Sequence, residues 1–147
     1  MNEQASSDGQ VKDRPDSVHA EISRAMVRLY KDQFGRGPTK VRTDFAGPDV
    51  LLCTLEHSLT PAERSLAAMG EHQRLRDTRL FFQHATEDEF RGVVERILGR
   101  KVRGFISGLD TTQDISVELF YLEPQQGAHG KAQNGSTSAS QPDAPQV

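Results

Sequence analysis

A chain of 147 residues is the size of one domain with one core, and its formal net charge of -3 with 27% charged residues indicates neither an acidic disordered chain nor a strongly basic nucleic-acid binder. The single cysteine, Cys53, excludes an internal disulfide and a multi-cysteine metal centre, and points to a reducing, cytoplasmic setting. No apolar run approaches the ~20 residues that span a bilayer, and the N-terminus lacks the apolar centre of a secretory signal.

Residues 1–16 are polar and offer almost nothing to bury, so they read as a disordered leader. From Ser17 the pattern changes. Val18, Ile22, Ala25, Met26 and Leu29 recur at spacings of three and four, the mark of one apolar helical face, with Asp16 or Ser17 as N-cap and Gly35 as the stop. After the Gly35-Arg36-Gly37-Pro38 corner, Val41, Thr43 and Phe45 alternate with Lys40, Arg42 and Asp44, which predicts a strand with the charged set outward. Gly47-Pro48-Asp49 is turn chemistry, and the run Val50 to Leu55 is apolar without alternation, as a central strand would be. Together these predict a β-hairpin.

Thr60 and Glu63 stand at the capping-box spacing, with Pro61 at the first helical position where its missing N–H costs nothing. A short helix to about Met69 is interrupted by Gly70. A longer one follows, with Leu75, Phe82, Ala85, Phe90, Val93, Val94 and Ile97 keeping helical spacing up to Gly99 and a polar middle, His84 to Glu89, where a bend is expected. Val102 to Leu109 and Ile115 to Leu122 predict a second hairpin across a five-residue polar loop, with Ile115, Val117, Leu119 and Tyr121 sharing one face. Residues 124–147 are rich in Gln, Gly, Ser, Ala and Pro without periodicity and read as a disordered tail. The order α-β-β-α-α-β-β predicts a single α+β domain over residues 17–123: a two-layer sandwich with a mostly antiparallel four-stranded sheet.

Few residues carry chemistry. Arg36, Lys40 and Arg42 form a small basic cluster that could hold an anion, an acidic partner or a phosphate backbone, with the glycine N–H groups of Gly35 and Gly37 beside it. The commoner meaning of Gly35, Gly37 and Pro38 is a helix cap and turn, and of alternating charge a solvated strand face. Residues 17–123 hold 15 Lys and Arg against 16 Asp and Glu, a net of -1 that disfavours nucleic acid as the main partner. His19, His57, His72, His84 and His129 show no metal-ligand spacing. Cys53 lies in an apolar run and reads as a structural thiol. No catalytic residue, cofactor site or metal site is identified, and the expectation is a non-enzymatic protein. Free strand edges also suggest a homodimer.

The segments Gly35-Arg36-Gly37-Pro38, Val41-Arg42-Thr43, Leu59-Thr60-Pro61-Ala62-Glu63 and Gly99-Arg100-Lys101-Val102, in this order and spacing, resemble a family of small bacterial proteins. That family is described as the MpsC domain of a sodium-translocating, membrane-potential-generating system. The resemblance spans most of Ser17 to Leu122 and departs from the family pattern at Ser107-Gly108-Leu109-Asp110. It implies a cytoplasmic accessory or regulatory domain whose protein partner is a membrane complex for cation or bicarbonate handling. It assigns no catalytic residue. The alternative from the residues themselves is a small anion- or RNA-binding module using Arg36, Lys40 and Arg42.

Overall fold

The computed structural model describes residues 17–125. The proposed leader 1–16 and nearly all of the proposed tail lie outside these residues. The chain starts with α1 (Val18–Phe34), continues through β1 (Lys40–Phe45), β2 (Val50–Glu56), α2 (Pro61–Ala68), α3 (His72–Ala85) and α4 (Glu87–Leu98), and ends with β3 (Val102–Asp110) and β4 (Ile115–Leu122). The α+β expectation holds, with a four-stranded antiparallel sheet. One more helix lies between the hairpins than the sequence pattern gave, making the order α-β-β-α-α-α-β-β.

The extra boundary falls at Thr86, inside the polar stretch where a bend is expected. Thr86 leaves helical geometry at φ -118° and ψ 13°. Its hydroxyl donates to the Phe82 carbonyl at 2.8 Å and accepts from Gln33 Nε2 of α1 at 2.6 Å. A threonine bonded back to the preceding turn and tied to another helix competes with helix continuation. Glu87, Asp88 and Glu89 then supply the acidic first turn that a new helix N-terminus favours.

The other ends follow their local chemistry. The Ser17 side chain accepts from the Ala20 N–H, and Gly35 closes α1 in the left-handed conformation at φ 72°. The capping box at α2 is complete: Thr60 Oγ1 accepts from Glu63 N at 3.3 Å and Glu63 Oε1 accepts from Thr60 N at 2.9 Å.

Strand order is β1-β2-β4-β3, so β2 and β4 are central, which agrees with the unbroken apolar run of β2. Leu51, Cys53 and Leu55 of β2 and Phe120 and Leu122 of β4 face Ile22, Met26 and Tyr30 of α1 and Phe90 and Val94 of α4 across the core. The opposite side chains of β4, Ile115, Val117, Leu119 and Tyr121, point to the other side of the sheet, where none of the described helices packs. On β4 the inward set is Ser116, Glu118, Phe120 and Leu122, all buried.

Replacing Thr60 by Ala should cost about 1 kcal/mol through loss of the N-cap. A shift of the denaturant midpoint of that size, with unchanged slope, is the expected result.

Candidate functional site

The basic cluster read from the sequence is dispersed by the fold. Arg36 sits in the corner after α1 and donates through Nη1 to the Leu59 carbonyl at 3.3 Å, so it pins the loop before α2. Lys40 and Arg42 project from the outer face of β1 with side chains 72% and 75% exposed. Each has an acidic neighbour. Lys40 Nζ lies 3.4 Å from Glu56 on the paired strand, and Arg42 Nε donates to Asp44 at 2.6 Å. Exposed pairs of this kind contribute little to stability, yet they offset the positive charge that an anion would meet. Gly37 approaches Lys31 and Val27 of α1 closely enough that an added Cβ would crowd them, at 3.1 and 3.3 Å, which gives this glycine a packing role.

The fold instead gathers a buried polar network that the sequence did not single out. At its centre is Arg79 of α3, only 2% exposed. Its Nε donates to Glu63 Oε2 at 2.5 Å and its Nη2 to Glu63 Oε1 at 2.8 Å and to the Ser58 carbonyl at 2.9 Å. The guanidinium also stacks 3.7 Å from the centroid of Phe34, which accounts for an Nη1 that finds no hydrogen-bond acceptor. Glu63 thus serves both the α2 cap and the Arg79 fork. Burial alone would raise its carboxyl, but the bonds from Arg79 and Thr60 hold it below the usual carboxylate range.

A second carboxylate, Glu118 of β4, is fully buried. Its Oε1 accepts from the Tyr30 hydroxyl at 2.6 Å and from Gln83 Nε2 at 2.9 Å. Burial pushes this carboxyl from 4.5 up to about 7, although Ser107, Tyr30, the Arg79 charge and Gln83 pull the other way. Burial, and then the charge of Glu118, raises the Tyr30 phenol well above its ordinary value. Ser107 stands opposite Glu118 in the β3–β4 register and turns its hydroxyl toward the carboxyl. Neither that hydroxyl nor Glu118 Oε2 makes a hydrogen bond of good geometry. Beside them a cleft of about 30 Å³, lined by Leu80, Gln83, His84, Glu87, Phe105 and Ser107, has room for about one water.

Among the described residues no cluster of three or more His, Cys, Asp or Glu could hold a metal ion. Cys53 is buried in the core, and burial pushes its thiol up to about 12. Two faint signals for the network do exist in the sequence. Leu75, Arg79 and Gln83 lie at i, i+4, i+8, so a cation and an amide occupy the buried stripe of α3, and the inward parity set by Phe120 and Leu122 carries Glu118 with it.

Residues 15–124 match the family described as MpsC, Na+-translocating membrane potential-generating system. The chain belongs to the MpsC family. The match takes in every helix and strand of the domain. The chain is also 29% identical over 107 residues to the uncharacterized protein YbcI of Bacillus subtilis (strain 168), covering 72% of this chain and 86% of that protein. No solved structure matches. For this MpsC-family domain, no described helix is long and apolar enough to cross a membrane.

Glu63→Ala leaves Arg79 as a buried, unpaired cation and should cost about 3–5 kcal/mol, several times the loss for Thr60→Ala. Urea denaturation of the two variants side by side checks this. Glu118 gives a pH signature of opposite sign to an ordinary ion pair. Because its folded value lies above its unfolded one, it binds more protons in the native state, so its stabilising contribution is complete below pH ~4.5 and is lost as pH rises through about 7. Stability measured between pH 4.5 and 7 should therefore fall less steeply with pH in Glu118→Gln than in the wild type.

Proposed function

We propose that this protein is a non-enzymatic accessory or regulatory domain that works in the cytoplasm on a membrane-potential-generating, cation-handling complex. The observation that carries this reading is the family match across the whole folded domain. The domain it covers has no helix that could span a bilayer among the described residues, so ion passage through helices would have to be supplied by other subunits. The polar interior fits the same reading. Glu63, Arg79 and Glu118 are spent on holding helices to the sheet and one another, with only a one-water cleft beside them, too small for a substrate pocket.

The alternative reading, an anion- or RNA-binding module built on Arg36, Lys40 and Arg42, draws less support. Arg36 is engaged with a backbone carbonyl, and the two exposed cations each have an acidic neighbour.

The proposal is tested by capturing the tagged protein at native abundance from cross-linked membranes, with deletion of its gene as the parallel arm. Recovery of integral membrane subunits of a cation-handling complex, together with a changed membrane potential in the deletion strain, is the expected result. Recovery of only soluble or ribosomal partners, with an unchanged potential, would overturn it.

A further inference from the structure

The outer face of the sheet is apolar along β4 and at Val50 and Leu52 of β2, and polar at Thr54 and Glu56 of β2 and along the β1 edge. Val117 and Leu119 of β4 stand beside Leu52 of β2 and Ile106 of β3, and Ile106 is 59% exposed. Gly108, which pairs with Val117, leaves open space where a side chain would project. An apolar patch of Leu52, Ile106, Val117 and Leu119 on a sheet face with no helix over it is a feature of interaction surfaces.

We infer that this face is the docking surface for a second copy of the same chain, packed sheet against sheet about a twofold axis parallel to the strands. The argument is self-complementarity. Such an axis lays the β1 edge of one copy over the β3 edge of the other at the same register level, because it reverses strand order while keeping position along the strands. Lys40, Glu56, Ile115 and Asp110 occupy one register row, so Lys40 of one copy faces Asp110 of the other. Arg42 and Gly108 occupy the next row, so the long Arg42 side chain lies over a position with no side chain of its own. Leu52 and Leu119 share the following row and meet their counterparts across the axis. Asp44, in that row, faces Ile106 of the other copy, and Arg103 of that copy, whose guanidinium lies over the Tyr121 ring on the same outer face, stands two to three ladder positions further along. Lys40 and Asp110 therefore meet twice, once on each side of the apolar patch, as an isologous interface requires.

The size lies at the lower limit for a specific interface. Four strands at ~4.8 Å and ladders of about seven residues at ~3.4 Å give a projected face of roughly 450 Å². Two such faces approach the ~1,000 Å² that a specific interface has to clear before side-chain relief is counted.

The test uses the full chain. Analytical ultracentrifugation across a concentration series should give a dimer, and Ile106→Glu should raise its dissociation constant about tenfold or more while leaving the circular dichroism and melting temperature of the protomer unchanged. A zero-length amine–carboxyl coupling reagent, applied to a mixture of light and heavy isotope-labelled protein, should link Lys40 to Asp110 in mixed-isotope pairs. Within one copy these residues sit on opposite edges of the sheet, three strand spacings or ~14 Å apart, too far for such a link. A monomer at all concentrations would overturn the inference. So would a dimer that survives Ile106→Glu, one that is lost only in Phe81→Asp on the exposed face of α3, or a dimer without the Lys40–Asp110 link.

Discussion

The interaction on which the placement of α2 and α3 depends is the fork of Arg79 onto Glu63. A guanidinium taken fully out of water is tolerable only if its donors meet acceptors in good geometry, and here the fork ties together four separate pieces of chain. Glu63 comes from the first turn of α2, the Ser58 carbonyl from the loop after β2, the Phe34 ring from the end of α1, and the arginine itself from α3. The second half of the loop is fixed by the same economy: Asp114, in the left-handed region at φ 54°, accepts from the N–H groups of Ser58 and Leu59. Directional bonds of this kind specify where α2 and α3 lie, whereas the apolar core beneath α1 and α4 specifies only that they be covered.

Local chemistry made most of the fold legible. Capping residues, glycine stops and hydrophobic period all act within a few residues of one another, so Ser17, Gly35, Thr60, Glu63 and Gly99 marked their element ends without tertiary knowledge. The division of the long helix at Thr86 was only half legible. Its polar middle announced a bend, but the Gln33 contact that fixes the threonine is made across 53 positions of sequence. Strand order was likewise beyond local reading, since β2 joins β4 over the whole helical segment.

The network around Arg79 and Glu118 was missed for a related reason. A sequence pattern sorts polar residues outward by default, and these two are buried because their partners, 16 and 88 positions away, are already in place. The β4 strand inverts the default twice over. Its Ile115, Val117, Leu119 and Tyr121 face away from the helices while Ser116 and Glu118 face them, so alternation identified the two sides of the strand but not which side is the core. Arg36 and Lys40, by contrast, were visible as charges, and their roles as a loop pin and a cross-strand partner emerged only from the fold.

Glu63 has one consequence that concerns motion. Its two oxygens serve at once the start of α2 and the anchor of α3, while α2 contributes no fully buried residue of its own. Neither helix can peel away without stripping the other of this tether. Opening of α2 and of α3 is therefore coupled through this fork, while Gln83 on Glu118 and His72 on Thr111 hold α3 independently.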